Sequence, residues 1–108
     1  AADGPAFLNV LTDCPVGWGH EPRLFAQVID GAVDCLFWPL YEVVDGRYEL
    51  TYVPEQVLPV ADWLALQGRF AHLLTPENAP VLEEIQQQVE EDWESLLGRC
   101  GELVPAAR

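Results

Sequence analysis

The dipeptide Asp45-Gly46 constrains the fold of this chain more than any other feature. It separates two short runs of alternating residues, 38–44 and 47–53. Asp-Gly between such runs predicts a β-hairpin with a two-residue turn. The expected pairs, counted outward from the turn, are Val44 with Arg47, Val43 with Tyr48, Glu42 with Glu49, and Tyr41 with Leu50. This register gathers apolar side chains on one face, so the hairpin must lie against a helix or another subunit.

Amphipathic helices are predicted on both sides of the hairpin. The first begins at Pro22, because proline is favoured in the first helical turn and apolar residues follow at helical spacing. The second begins after Pro59, and Gly68 is expected to end or bend it. The third begins at Ala79 and is expected to stop at Gly98. Its spacing places apolar residues on one side and glutamates on the other.

The segment around Cys14 is where chemistry is expected. The apolar run of residues 6–11 predicts a buried strand that ends just before the cysteine. Pro15 fixes φ, and Gly17 and Gly19 tolerate positive φ, so the chain can turn sharply there. A thiol held in such a turn is well placed to bind a metal. The alternative is that Cys14 is a buried small apolar side chain, as most free cysteines are.

The other potential metal ligands suggest no complete site. The three cysteines form neither a disulfide framework nor a Cys-x-x-Cys signature, so any metal needs further ligands from elsewhere. Cys35 and Cys100 fall within helical patterns, where burial or surface placement is expected. His20 and His72 are each expected to be hydrogen-bonded structural histidines rather than ligands.

Length, composition and net charge limit the classes of protein to which this chain can belong. The 108 residues, half of them hydrophobic, suit one folded domain at most, and disorder is not expected. A net charge of −13 with no lysine argues against binding to nucleic acid or an anionic membrane surface. The simplest interpretation of the acidity is a solvated surface. Neither a membrane span nor a signal peptide is evident, so a soluble, cytoplasmic protein is expected.

Several motifs, taken together in this order, resemble one enzyme family. They are Gly4-Pro5-Ala6-Phe7, Cys14-Pro15-Val16-Gly17-Trp18, Trp38-Pro39-Leu40-Tyr41-Glu42, Asp45-Gly46-Arg47, Pro59-Val60, and Leu66-Gln67-Gly68-Arg69-Phe70-Ala71-His72-Leu73. Over residues 3–97 the sequence resembles the carboxy-terminal part of the β subunit of pyruvate:ferredoxin oxidoreductase and related 2-oxoacid oxidoreductases. The family more often has threonine where Val16 stands.

The resemblance implies an α/β fold class, here an α+β fragment. Residues 1–37 would be the last strand, turn and helix of a thiamine diphosphate-binding domain. Residues 38–108 would be a carboxy-terminal extension containing the hairpin and two helices. Its tail, residues 101–108, is expected to be frayed. The chain is therefore expected to be the end of a larger protein.

The resemblance also implies a function. The enzymes of this family carry out CoA-dependent oxidative decarboxylation of a 2-oxoacid and pass electrons to ferredoxin. The Cys-Pro-x-Gly-Trp pattern suggests pyruvate or a branched-chain 2-oxoacid. Cys14 matches one cysteine ligand of a 4Fe-4S cluster. Thiamine diphosphate and Mg²⁺ would be bound by parts of the enzyme outside this chain, which has no Gly-Asp-Gly motif.

Partners then follow from the same resemblance: the remainder of the β subunit, the other oxidoreductase subunits, and ferredoxin for the whole enzyme. The 108 residues alone are predicted to be inactive. Two alternatives remain open at this stage. One is a free-standing interaction module derived from this tail, and the other is an acidic protein that binds a metal or partner unrelated to redox chemistry.

Overall fold

The computed structural model describes residues 3–103. The elements in this part of the chain are α1 (Pro15–Trp18), α2 (Phe25–Asp34), β1 (Tyr41–Val44), β2 (Arg47–Leu50), α3 (Val60–Leu64) and α4 (Ala79–Leu103). Short 3-10 helices cover Pro22–Leu24, Gly68–Leu74 and Pro76–Asn78. Helices together with a two-stranded antiparallel sheet give an α+β architecture, as predicted at this coarse level.

The hairpin forms in the predicted register. Tyr41 pairs with Leu50 and Val44 pairs with Arg47, with the two intermediate pairs between them. Both turn residues have positive φ, 52° at Asp45 and 77° at Gly46, as a type I′ turn requires. Strand β2 lies against α4, and a 3.1 Å hydrogen bond from Arg99 to the Tyr48 hydroxyl joins the two, whereas all four residues of β1 are exposed.

The core lies where α2, α3 and α4 meet. Its buried members are Ala32, Cys35, Leu36, Val60, Trp63, Leu64 and Val89. The indole Nε1 of Trp63 donates a 2.7 Å hydrogen bond to the carbonyl of Val28, which satisfies its one polar atom. A Cβ on Gly31 would lie 2.8 Å from the same indole, so glycine at this position allows α2 and α3 to approach closely.

A side chain from α4 caps the start of α3. Pro59 is the N-cap residue, with extended backbone, which confirms the helix start predicted there. Proline has no hydroxyl or carboxylate with which to cap the helix. Instead, the backbone N–H of Val60 donates a 2.8 Å hydrogen bond to Oε1 of Gln86. This bond satisfies one of the free donors at the helix start and fixes α3 relative to α4.

The strand predicted over residues 6–11 is not formed, and this prediction is wrong for the described structure. The segment is irregular, and Phe7 and Leu8 are 89% and 84% exposed. A strand requires the backbone of a neighbouring strand for its hydrogen bonds. Within residues 3–103 the only sheet is the hairpin, which pairs with itself.

Two helix boundaries also differ from the sequence prediction. The second helix breaks well before Gly68, because α3 ends at Leu64 and a 3-10 segment begins at Gly68. The last helix runs through Gly98 to Leu103 instead of stopping at the glycine. Buried Leu96 and Cys100 flank Gly98, and their packing outweighs its helix cost of about 1 kcal/mol.

The predicted frayed tail is only partly within the described residues. Helix α4 includes its first three positions, and residues 104–108 lie outside the described part. Helix α4 is long but rich in glutamate, and among residues 3–103 there is no helix that combines the length and apolar character needed to cross a membrane.

Candidate functional site

The Cys14 turn, defined here as residues 13–20, has the compact shape that its sequence predicts. Cys14 has extended backbone and precedes α1, and Pro15 occupies the first helical position. The N–H of Trp18 donates to the carbonyl of Cys14 at 2.7 Å. Gly19 ends the helix with φ of 76°, so it is Gly19 that uses the left-handed conformation.

The thiol of Cys14 is free and exposed, so the alternative of a buried small apolar side chain is wrong. A Cβ on Gly17 would lie 3.2 Å from the Cys14 sulfur, which is tighter than most contacts of this kind. Glycine at this position therefore leaves the space beside the sulfur open. The turn presents a thiol that another group can reach.

The other two cysteines are in the core. Cys35 is fully buried, and its thiol contacts the carbonyl of Ala32 at 3.6 Å. Burial raises the pKa of the Cys35 thiol, so this group stays protonated at neutral pH. Cys100 is 6% exposed. Both are placed as packing residues, and Cys14 alone among the three cysteines is accessible.

His20 closes the turn as a structural residue, as predicted. Its side chain is fully buried, and Nδ1 must carry the hydrogen because it bonds the carbonyl of Glu21 at 2.8 Å. Nε2 lies 3.1 Å from Oδ2 of Asp13. Within residues 3–103 neither of these two atoms has a well-aligned hydrogen-bond partner. The two ends of the turn thus lie close together on either side of Cys14.

His72 differs from its prediction as a hydrogen-bonded structural histidine. The residue is exposed, and it is its backbone carbonyl that takes part in bonding, accepting a 2.6 Å hydrogen bond from Nδ2 of Asn78. The prediction assumed that a half-apolar helical segment would bury the ring. The 3-10 segment instead leaves it at the surface.

A close backbone contact fixes the turn to the chain after α3. The N–H of Gly68 donates a 2.8 Å hydrogen bond to the carbonyl of Gly19. A Cβ on Gly19 would lie 3.0 Å from the Cα of Gly68, and a Cβ on Gly68 would lie 3.0 Å from the carbonyl oxygen of Gly19. A side chain at either position would therefore press against the opposite backbone, and Gly19 in addition has the positive φ that favours glycine.

Arg69 provides a second connection, which the sequence did not predict. Its guanidinium carbon lies 4.0 Å from the centre of the Trp18 ring and 4.5 Å from that of Phe70. Its Nε donates to Oε1 of Gln67 at 2.9 Å. Partial burial lowers the pKa of Arg69, but an arginine remains charged at neutral pH. No local sequence pattern indicates the contact with Trp18, because Trp18 and Arg69 are about fifty positions apart in the chain.

The potential metal ligands near the turn suit one ligand of a cluster rather than a complete metal site. Among the residues that the structure describes, no group of three or more His, Cys, Asp or Glu side chains comes together to hold a metal. A 4Fe-4S cluster takes four ligands, typically cysteine thiolates. The exposed Cys14 thiol suits one of these positions, and the others would have to come from outside the described residues.

Comparison of the sequence with known proteins identifies the relatives of this chain. No family model matches the chain. It is 40% identical over 96 residues to the pyruvate synthase subunit PorB of Thermotoga maritima, covering 88% of this chain and 30% of that protein. It is 37% identical over 89 residues to PorB of Methanocaldococcus jannaschii, covering 82% of this chain and 28% of the relative.

A third relative is named for a different 2-oxoacid. The ketoisovalerate oxidoreductase subunit VorB of Pyrococcus furiosus is 32% identical over 95 residues, covering 86% of this chain and 29% of the relative. The chain belongs to the family of PorB and VorB subunits. It corresponds to a carboxy-terminal portion of these proteins and spans about 30% of their length. The family predicted from the sequence motifs is confirmed.

Proposed function

We propose that the chain is the carboxy-terminal part of the β subunit of a 2-oxoacid:ferredoxin oxidoreductase, in which Cys14 supplies one ligand of a 4Fe-4S cluster. The substrate would be pyruvate or a branched-chain 2-oxoacid, oxidatively decarboxylated with CoA. The names of the relatives support this reaction class. The observation that carries the ligand role is the exposed thiol of Cys14, held in a turn with open space beside it.

The roles of this chain's own residues follow from the geometry of the turn. When bound, the cluster would supply one-electron transfer. Cys14 would hold it, and Gly17 would keep the volume beside the sulfur free. The Gly19 to Gly68 contact would stop the ligand from moving away, since it fixes the end of the turn to the chain after α3.

Thiamine diphosphate and Mg²⁺ have no matching set of ligands among residues 3–103, and the sequence has no Gly-Asp-Gly motif. Mg²⁺ in proteins is bound by carboxylates and other oxygen ligands, and the described residues bring no three acidic side chains together. We therefore assign both to the remainder of the enzyme, and the isolated chain should not turn over a 2-oxoacid.

Exposed apolar side chains indicate where the rest of the subunit would pack. Phe7, Leu8 and Val10 precede the turn and are 89%, 84% and 69% exposed, and Val16 within the turn is 95% exposed. Large apolar side chains grouped in this way mark a surface that is covered in the assembled protein. The remainder of the β subunit and the other subunits would cover it, in a cytoplasmic enzyme that reduces ferredoxin.

The experiment compares Cys14→Ala, Cys35→Ala and Cys100→Ala in the intact enzyme. Iron content and the low-temperature EPR spectrum of the reduced enzyme are measured for each variant. Cys14→Ala should lose or destabilise one cluster, with substrate binding largely retained. Cys35→Ala and Cys100→Ala should keep all clusters and lose only about 1–2 kcal/mol of stability from packing. Full cluster occupancy in Cys14→Ala, or equal iron loss in all three, would show that the ligand role is wrong.

A further inference from the structure

We propose that Arg69 is a positioning residue for the Cys14 ligand, acting through its guanidinium stack on Trp18. The inference rests on the proposed cluster role of Cys14 and goes beyond it, since Arg69 belongs to the extension and not to the turn. The starting observation is that the guanidinium carbon of Arg69 lies 4.0 Å from the centre of the Trp18 ring. A guanidinium this close to an indole face is held by cation–π attraction and by stacking.

Trp18 is the part of the turn that connects this stack to the ligand. Its backbone N–H bonds the carbonyl of Cys14 at 2.7 Å, one helical turn away. Helix α1 has only four residues and buries none of them fully, and Trp18 is the one among them that packs against the core. Fixing the indole of Trp18 therefore fixes the orientation of the short helix that Cys14 begins.

Arg69 is itself anchored to the core. Its Nε donates to Oε1 of Gln67, whose side chain is 1% exposed. The Gln67 amide in turn donates a 3.2 Å hydrogen bond to the carbonyl of Trp63 in α3. A continuous set of contacts thus runs from the three-helix core through Gln67 and Arg69 to Trp18. These contacts hold the Cys14 turn in a fixed position relative to the core.

The two contacts of this side chain, with Trp18 and with Gln67, require arginine. A guanidinium can contact the face of Trp18 and donate from its Nε to Gln67 at the same time, whereas the ammonium of a lysine is a compact point charge that has no Nε. The positive charge matters separately. A cluster held by four thiolates is anionic, so the cation that Arg69 holds against Trp18 of the same turn would favour the reduced form of the cluster and raise its reduction potential.

The test uses the intact enzyme with three variants, Arg69→Ala, Arg69→Lys and Arg99→Ala. Arg99 is the matched control, since its guanidinium carbon lies 5.6 Å from the Tyr48 ring and it donates to the Tyr48 hydroxyl, in a contact that joins α4 to the hairpin. The measurements are iron per enzyme, the EPR spectrum of the reduced cluster and its midpoint potential.

Arg69→Ala should lose part of its iron, change the EPR spectrum of the cluster that remains, and shift its midpoint potential to a more negative value. Arg69→Lys should keep the potential near that of the unmodified enzyme, because the charge remains, but should still show the altered spectrum, because the stack is lost. Arg99→Ala should match the unmodified enzyme in all three measurements.

Several outcomes would overturn the inference. One is a spectrum and potential for Arg69→Ala equal to those of Arg99→Ala. Another is full recovery of the spectrum in Arg69→Lys, which would mean that charge suffices and the stack positions nothing. If Arg69→Ala fails to assemble, Arg69→Lys decides alone. Retention of the cluster in Cys14→Ala would instead refute the proposed function, whereas loss of it there with no effect at Arg69 would refute only this inference.

Discussion

Gly19→Ala should loosen the Cys14 turn from the rest of the chain, and its effect can be separated into two terms. Gly19 has φ of 76°, and a left-handed conformation costs a non-glycine residue about 1–2 kcal/mol. The new Cβ would also lie 3.0 Å from both the Cα and the N of Gly68. Such overpacking against backbone typically costs about 1–3 kcal/mol more, because neither backbone can move aside freely.

Gly46→Ala provides a matched control for the first term. Gly46 has φ of 77°, almost the same value, but a Cβ there would meet nothing within 4 Å. The control therefore carries the same conformational cost without the contact. The difference between the free energies of unfolding of the two variants, from urea titrations, therefore measures the contact between Gly19 and Gly68 alone.

The assay is hydrogen exchange of the Gly68 amide in the intact protein, followed by NMR or by mass spectrometry of short peptides. This amide bonds the Gly19 carbonyl at 2.8 Å, so it exchanges when the contact opens. A contact term of about 1–3 kcal/mol corresponds to exchange faster by about five- to hundredfold in Gly19→Ala. Gly46→Ala should leave the Gly68 amide unchanged. Equal acceleration in the two variants, or none in Gly19→Ala, would refute the reasoning.

Three further predictions concern the core. Trp63→Phe should destabilise the protein by about 1–3 kcal/mol in thermal denaturation, because it leaves the buried Val28 carbonyl without the 2.7 Å bond from the indole. Gly31→Ala should lower the free energy of unfolding by about 1–3 kcal/mol, because its Cβ would meet the Trp63 ring at 2.8 Å. Gly98→Ala should raise it by about 0.5–1 kcal/mol, because a Cβ there would meet nothing within 4 Å. Urea titrations measure both changes. Burial raises the pKa of Cys35, so the contribution of its protonated thiol to stability is complete below the ordinary thiol pKa and is lost as the pH rises towards the raised value. Urea titrations at alkaline pH should therefore show a decline in the free energy of unfolding that Cys35→Ala lacks.

The local features of the fold were predictable from sequence. The hairpin register followed from Asp45-Gly46 alone, because the left-handed conformation of both turn residues fixes which residues face each other. The turn after Cys14 followed from Pro15 and from Gly19 in the same way. Each of these predictions depends on residues within a few positions of one another.

The errors arose where distant contacts decide the structure. Residues 6–11 have the composition of a buried strand, but no partner strand is present among residues 3–103. Gly68 was expected to end or bend a helix, whereas its backbone closely approaches Gly19, some fifty positions earlier. Gly98 was expected to stop α4, but buried neighbours on both sides of it continue the helix.

The candidate site was predicted in part. Cys14 was singled out from its turn and from the motifs around it, and the structure places its thiol at the surface. The Arg69 stack on Trp18 was missed, since a single arginine in a helical pattern carries no signal of a partner so distant in sequence. Such contacts follow only from the way the helices pack.

The central claim, that Cys14 binds a cluster, is tested most directly by thiol labelling of the unmodified enzyme. Iodoacetamide is added anaerobically to the cluster-loaded enzyme and to the same enzyme after iron chelation, and each cysteine is quantified by mass spectrometry. Coordination would protect Cys14 in the loaded enzyme and expose it to labelling after chelation, while fully buried Cys35 should remain unlabelled in both. Equal labelling of Cys14 before and after removal of the iron would contradict the claim.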